Sequence, residues 1–185
     1  MKHLVLILGM MASSFALAAD LAVAVGVRNT SASAAAGTGY DIGAKSGLQG
    51  GILAFLPMTN VLKVRSGFLY TNRSISVTTA GSNATPADFS YWNFDIPATL
   101  MWSFSDFGGV YAGAIMSMNV SSDSSIAGMK PTSVENLIVP LTIGASFKFA
   151  PQLGAEMYFE TLPGKISQGI ESVKSVGVQL LITFD

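Results

Sequence analysis

The chain has 185 residues, half of them hydrophobic, with 11% charged side chains, a formal net charge of −1 and no cysteine. Soluble domains carry about 25% charged residues, so this chain has too little charge to dress an ordinary water-facing surface. The missing cysteines exclude disulfides and thiolate metal sites, and the charge balance offers no basic field for nucleic acid.

The first element is "MKHLVLILGMMASSFALAAD", with Lys2, an apolar run from Leu4 to Met11 and a small-residue exit at Ala16 to Ala18. This is the layout of a cleavable signal peptide over residues 1–18. Its apolar core falls short of the roughly 20 residues that span a bilayer. One domain is expected over residues 19–185. Loss of Lys2 leaves nine Lys and Arg against eleven Asp and Glu, a net charge of −2.

From there on the apolar residues alternate. Leu21, Val23, Val25 and Val27 oppose Ala22, Ala24, Gly26 and Arg28, and a less regular strand runs from Lys45 to Leu56. Leu62, Val64, Phe68 and Tyr70 oppose Lys63, Arg65, Gly67 and Thr71. Trp92, Phe94, Ile96, Ala98, Leu100 and Trp102 oppose Asn93, Asp95, Pro97 and Thr99. The pattern repeats at Val110 to Asn119, Leu137 to Phe149, Leu153 to Glu160 and Ser175 to Phe184. Side chains of a strand alternate between its faces, so eight strands each carry one apolar face and one small or polar face. Eight is the smallest even count of closed outer-membrane barrels.

The connections alternate too. Short ones are expected at Pro57 to Asn60, Ser105 to Gly108 and Ala150 to Gln152. Long polar ones are expected at Thr30 to Ala44, Ser76 to Ala87, Ser121 to Ser133 and Leu162 to Val173. That order fits short periplasmic turns, long external loops and periplasmic termini. The fold class expected is therefore all-β, an eight-stranded antiparallel up-and-down transmembrane β-barrel. A soluble barrel would keep its better-formed apolar faces inside, whereas here the opposite faces suit a narrow polar lumen.

"FDIPATLMWSF", "GGVYAGAIMSMNVSSD", "LIVPLTIGASFKF" and the ending "VGVQLLITFD" together resemble the outer-membrane β-barrel family of PorT-like and OmpA-like small eight-stranded barrels. The resemblance covers Tyr91 to Asp185 well and the first half by pattern. It implies insertion in the outer membrane and no one activity. The ending is also similar to the strand signal read by barrel-assembly machinery, except that Phe184 is penultimate and Asp185 is last.

Trp92 and Trp102 lie ten steps apart, roughly 33 Å along a strand, or about 25 Å along the normal at a tilt of about 40°. With Tyr70 and Phe184 they are the expected aromatic girdle. The expected lumen charge network is Arg28, Lys63, Arg65, Asp95, Lys148, Glu156 and Glu160, since charges in a narrow lumen must pair. Symmetric hairpins would set Lys148 diagonal to Glu156, and Asp95 opposite Gly67 and diagonal to Arg65. Pro97 lacks a ladder donor, so a bulge or an unpaired carbonyl is expected beside it.

His3 is the one histidine and leaves with the leader. Barrel phospholipases, lipid A deacylases, lipid A palmitoyltransferases and omptin-like proteases resemble one another in needing a histidine to activate a nucleophile or water. No enzyme activity is expected, with a Ser/Lys or two-carboxylate mechanism formally open. "GTGYDIG", Gly37 to Gly43, lacks the spacing of a phosphate loop and reads as an exposed loop. Asn-x-Ser/Thr at Asn29, Asn72, Asn83 and Asn119 is expected by chance, and loop carboxylates such as Asp123 are scattered, so neither cofactor nor metal is expected. The function read from the sequence is structural or interaction work through external loops, with a side-chain-filled lumen. The alternatives are a narrow channel for small solutes and a soluble periplasmic ligand-binding barrel. The partners are outer-membrane lipid, the assembly machinery during insertion and an unidentified loop-binding partner.

Overall fold

The computed structural model describes residues 20–79, 86–125 and 131–184. The expected signal peptide, His3, Asn83 and Asp185 lie outside the described residues. Nine segments follow in chain order: β1 (Asp20–Ala34), β2 (Tyr40–Pro57), β3 (Leu62–Thr79), β4 (Ala87–Ser105), β5 (Gly108–Ser124), β6 (Leu137–Ile138), β7 (Leu141–Ala150), β8 (Leu153–Ser167) and β9 (Ile170–Phe184). Antiparallel ladders join them in the order β4-β3-β2-β1-β9-β8-β7-β5, and a β4–β5 ladder closes the ring. β6 and β7 both pair with β5 and occupy one position, split at Val139 and Pro140. The result is an eight-stranded up-and-down barrel, with no helix among the described residues.

The three short turns fall where the alternation breaks, at residues 58–61, 106–107 and 151–152, on the same end as Asp20 and Phe184. This is the terminal end; the opposite one is the loop end. Two of the four expected long loops, Thr30 to Ala44 and Leu162 to Val173, are mostly strand, and a third, Ser76 to Ala87, opens on strand. β1 runs to Ala34, β2 begins at Tyr40, β3 reaches Thr79, and β8 and β9 meet in a tight turn at Gln168 and Gly169. Within "GTGYDIG", Gly37 and Gly39 take positive φ in the β1–β2 turn, while Tyr40 to Gly43 belong to β2.

The physical reason is a reversal of polarity along the strands. In β3 the inward parity runs Arg65, Thr71 and Arg73, then turns apolar at Ile75 and Val77. Its outward parity runs Phe68 and Tyr70, then turns polar at Asn72, Ser74 and Ser76. β4 mirrors this, with Phe89 and Tyr91 inside beside outward Asp88 and Ser90, and Asn93, Asp95 and Thr99 inside beside outward Phe94 and Leu100. β8 changes at Leu162, after which the outward Pro163 and Lys165 replace Met157 and Phe159. Through the middle layer the barrel is apolar outside and polar within; near the loop end it is built like a soluble barrel. A polar outward face with Gly and Ser reads as loop, although the alternation continues on its inner side.

Two apolar clusters therefore fill the lumen at different heights. The one toward the loop end gathers Ile75, Val77, Phe89, Tyr91, Ile138, Leu162, Ile166, Ile170 and Val173. The one toward the terminal end gathers Ala22, Ala24, Leu53, Phe55, Leu69, Met101, Tyr111, Tyr158 and Leu181. Polar side chains occupy the layer between.

Pro97 is buried and opens no bulge. Register pairs stop at Arg65↔Thr99 and resume at Leu69↔Asp95 with the register unchanged, so its missing donor faces Gly67 of β3. On its other side the β5 neighbour Ile115 turns its N–H away, to the Pro140 carbonyl at 2.9 Å. Each proline thus leaves a break in a ladder, Pro97 opposite Gly67 in β3–β4 and Pro140 opposite Ile115 where β6 and β7 are split. The nearest irregularity in the β4–β5 ladder is a bulge at Val120 of β5, between the pairs Trp92↔Ser121 and Asn93↔Asn119, where the Asn119 side-chain amide reaches the Trp92 carbonyl at 3.4 Å.

Candidate functional site

The middle layer of the lumen holds six buried charges, Arg28, Arg65 and Arg73 against Asp95, Glu156 and Glu160. They alternate with small residues because a narrow barrel interior has room for few long side chains. Arg65 donates from Nε to Glu156 Oε1 at 3.1 Å and from Nη2 to Oε2 at 2.7 Å. That pair crosses the full width of the ring, since β3 and β8 stand four positions apart. The Arg65 guanidinium also lies 4.5 Å from the Tyr111 ring centroid, a cation–π contact.

Arg73 makes the second crossing. It forks onto Asp95 through Nη1 at 3.2 Å and Nη2 at 2.9 Å, and reaches Glu160 Oε1 through Nε at 3.1 Å and Nη2 at 2.7 Å. Its Nη1 also donates to Thr71 Oγ1 and Ser117 Oγ, and Thr71 in turn donates to Asp95. Arg28 Nη2 sits 2.7 Å from Glu160 Oε1, an ion pair poorly aligned for a hydrogen bond, and Arg28 Nη1 is 3.8 Å from Asp95. Neither Nε nor Nη2 of Arg28 completes a hydrogen bond among the described residues.

Neutral groups complete the layer. Tyr158 Oη donates to Gln49 Oε1, Gln49 Nε2 to Gln179 Oε1 and Gln179 Nε2 to Glu156 Oε2, each at 2.5 Å. Tyr111 Oη adds a 3.3 Å bond to the same Glu156 oxygen. Glycines make room for both rings. Gly144 stands opposite Tyr111 and Gly177 opposite Tyr158, and a Cβ on either glycine would run into the facing ring. Residues of seven of the eight ring positions are tied together across the axis, and the six charges sum to zero.

Five of the seven residues expected in the charge network, Arg28, Arg65, Asp95, Glu156 and Glu160, are brought together here. Lys63 and Lys148 are not. Lys63 lies at the terminal rim, where its Nζ bonds Asp20 at 3.0 Å, and Lys148 is exposed at the end of β7. Lys148 is diagonal to Glu156 in register, but Arg65 holds that carboxylate. Asp95 stands opposite Leu69, two residues from the expected Gly67, which hands it to Arg73. Arg73 was missed because the sequence reading ended its strand at Thr71. The alternation of Arg73, Ile75 and Val77 against Asn72, Ser74 and Ser76 was the available signal.

On the outside, Tyr70, Trp102 and Phe184 are exposed and Trp92 is half-buried, its ring stacked on Tyr70 at 4.9 Å between centroids. Between these heights Val25, Leu48, Ile52, Phe68, Phe94, Met157, Val178 and Leu180 all face outward and exposed. A continuous apolar band of this kind marks a surface that meets another apolar phase. Lipid is the phase that a closed barrel can accept, because its backbone groups are paired strand to strand.

Solved structures with this architecture include bacterial surface and outer-membrane proteins. Ail, the attachment invasion locus protein of Yersinia pestis, superposes with a TM-score of 0.52 at 12% identity over 90% of this chain and 99% of that one. Neisserial surface protein A gives 0.55 at 17% identity over 89% and 97%. OprG of Pseudomonas aeruginosa gives 0.50 at 13% identity over 90% and 96%. The chain folds as a small outer-membrane β-barrel. These neighbours agree with the resemblance to OmpA-like small barrels, and PorT-like proteins are not among the three. No protein-family model matches the barrel, and no curated protein does.

The barrel's voids are unequal. A vestibule of about 560 Å³ opens at the terminal end beside Asp20, Phe55, Lys63, Met101, Lys148 and Leu181. The charged layer borders a void of about 20 Å³. Among the described residues no three His, Asp or Glu side chains gather as a metal site.

Proposed function

We propose that this barrel sits in the outer membrane with its termini in the periplasm and works as a structural or interaction protein through its loop end, without conducting solutes. The observation that carries the reading is the filled lumen. Two full-width ion pairs, a neutral charge balance and an apolar cluster on each side leave about 20 Å³ of space in the middle layer. A water channel would need continuous space through that layer. Eight strands enclose an interior that side chains can fill, and here they do.

The loop end supports the second half of the proposal. Its inner side is packed with Ile75, Phe89 and Leu162, so the strands there need no lipid to stay paired. They form a stiff platform for the connections that leave it. Loops on a rigid scaffold are where binding function concentrates. The solved neighbour Ail has a structure in complex with the heparin analogue sucrose octasulfate, a ligand of Ail that is not assigned here. Outer-membrane lipid is the proposed partner of the apolar band, and assembly machinery the proposed reader of the terminal strand.

Planar-bilayer recording tests the closed lumen. Purified wild-type barrel is expected to give no steady single-channel current. Arg65→Ala, which removes one crossing and its ring contact with Tyr111, is expected to raise the leak. Steady wild-type currents would refute the closed-lumen reading in favour of a narrow channel. Recovery wholly in the periplasmic extract, with no heat-dependent gel shift, would refute the membrane assignment.

A further inference from the structure

Arg28 carries two fully buried donors, Nε and Nη2, that complete no hydrogen bond among the described residues. Its side chain is 1% exposed. The void of about 20 Å³ lies against it, lined also by Asp95, Tyr111, Thr142, Tyr158, Glu160 and Gln179. Cavities that stay empty are lined by apolar groups, and a water needs roughly 10–15 Å³ for its centre and two to four polar partners. This void has both the room and the partners.

We propose that one ordered water occupies this void as a fixed member of the lumen network, accepting from Arg28 Nε. Acceptors for its own protons are at hand. Thr142 spends its proton on the Phe159 carbonyl at 3.3 Å, and Tyr111 spends its own on Glu156, which leaves the lone pairs of both oxygens open. The carboxylates of Asp95 and Glu160 add further acceptor positions. A cation does not fit, because it would face the unused Arg28 donors and add a charge to a layer that already balances. An anion does not fit either: the six charges already cancel, and a seventh would stand unbalanced in a layer flanked by apolar clusters. The occupant is therefore neutral, small and both donor and acceptor. The two clusters close the layer at both ends, so the water exchanges only when the barrel itself fluctuates.

A crystal structure of the wild-type barrel at a resolution that shows waters tests this directly, with a second crystal soaked in bromide. One density peak within hydrogen-bonding distance of Arg28 Nε, without anomalous signal after the soak, is the expected result. An empty void overturns the proposal, and so does a bromide peak at that position. Water ¹⁷O relaxation dispersion of the detergent-solubilised protein supplies a second measurement. Wild type is expected to hold one more long-lived water than Arg28→Met, and equal numbers count against the site. Should that variant fail to fold, the two wild-type crystals decide the matter without it.

Discussion

Three arginines and three carboxylates share the lumen, yet the consequences of removing them differ. Arg73 serves two carboxylates at once. In Arg73→Ala, Asp95 keeps the Thr71 hydroxyl but, of the arginines, only the 3.8 Å approach of Arg28, and Glu160 keeps a single poorly aligned ion pair. Breaking a buried pair from one side costs roughly 3–5 kcal/mol, because the remaining charge stays buried. Arg73→Ala is expected to lose about that much in urea-dependent unfolding from lipid vesicles. Lys63→Ala breaks a pair whose side chains are 31% and 50% exposed, and exposed pairs contribute roughly 0.2–1 kcal/mol. If the two variants unfold at the same urea concentration, the lumen charges are not bearing on stability. The sequence exposed the inward charges by parity, which is local. Which arginine meets which carboxylate is set by register across the ring, and a two-residue offset between β3 and β4 was enough to give Asp95 to Arg73.

Within single strands, the alternation continues past the point where its polarity reverses. The eight strands and three short turns were legible because apolar outward residues contrast sharply with Gly, Ser and Thr inside. Past Tyr70 and Trp92 the contrast inverts, and the serines of β3 and β4 look like loop. They are ladder positions, held by Ser74 bonding Asn72 and Ser90 and by the ion pair of Lys45 with Asp88. Ile75 is 2% exposed on the inner side of this stretch. Ile75→Ala is expected to cost roughly 2–5 kcal/mol, the usual range for emptying a packed aliphatic site. Ser76→Ala, one residue on and facing out, should stay within about 0.5 kcal/mol. Equal, negligible effects in the same unfolding assay would favour the loop expected from Ser76 onward over a packed strand end. Pro97 belongs to this scale as well. Its tolerance depends on facing Gly67 across a gap in the ladder, a matter of pairing that sequence parity does not encode.

For the whole molecule, the reversal fixes how deep the barrel lies in a bilayer. If lipid meets only the apolar outward residues, the band runs from Trp92 to Trp102, about 25 Å high for an outer-membrane barrel. β3 continues nine residues beyond Tyr70, roughly 30 Å of strand, so at a tilt of about 40° its end stands roughly 23 Å past the girdle. The two tryptophans make this measurable, because they are the only ones in the chain and lie at opposite edges of the band. In vesicles of lipids brominated at successive depths, Trp92→Phe and Trp102→Phe each leave one reporter. Both variants are expected to be quenched most strongly by bromines near the headgroups, with the two reporters facing opposite leaflets. The chain has no cysteine, so Ser76→Cys provides a single further probe, expected to react with a water-soluble thiol reagent added to intact vesicles. If Trp92 is quenched best at the bilayer centre, or Ser76→Cys is protected by lipid in both orientations of the barrel, the band extends over the polar outer face of β3. The physical basis for a loop-end platform standing clear of the membrane would then fail, because Ser74, Ser76 and Asp88 would have to be buried in hydrocarbon.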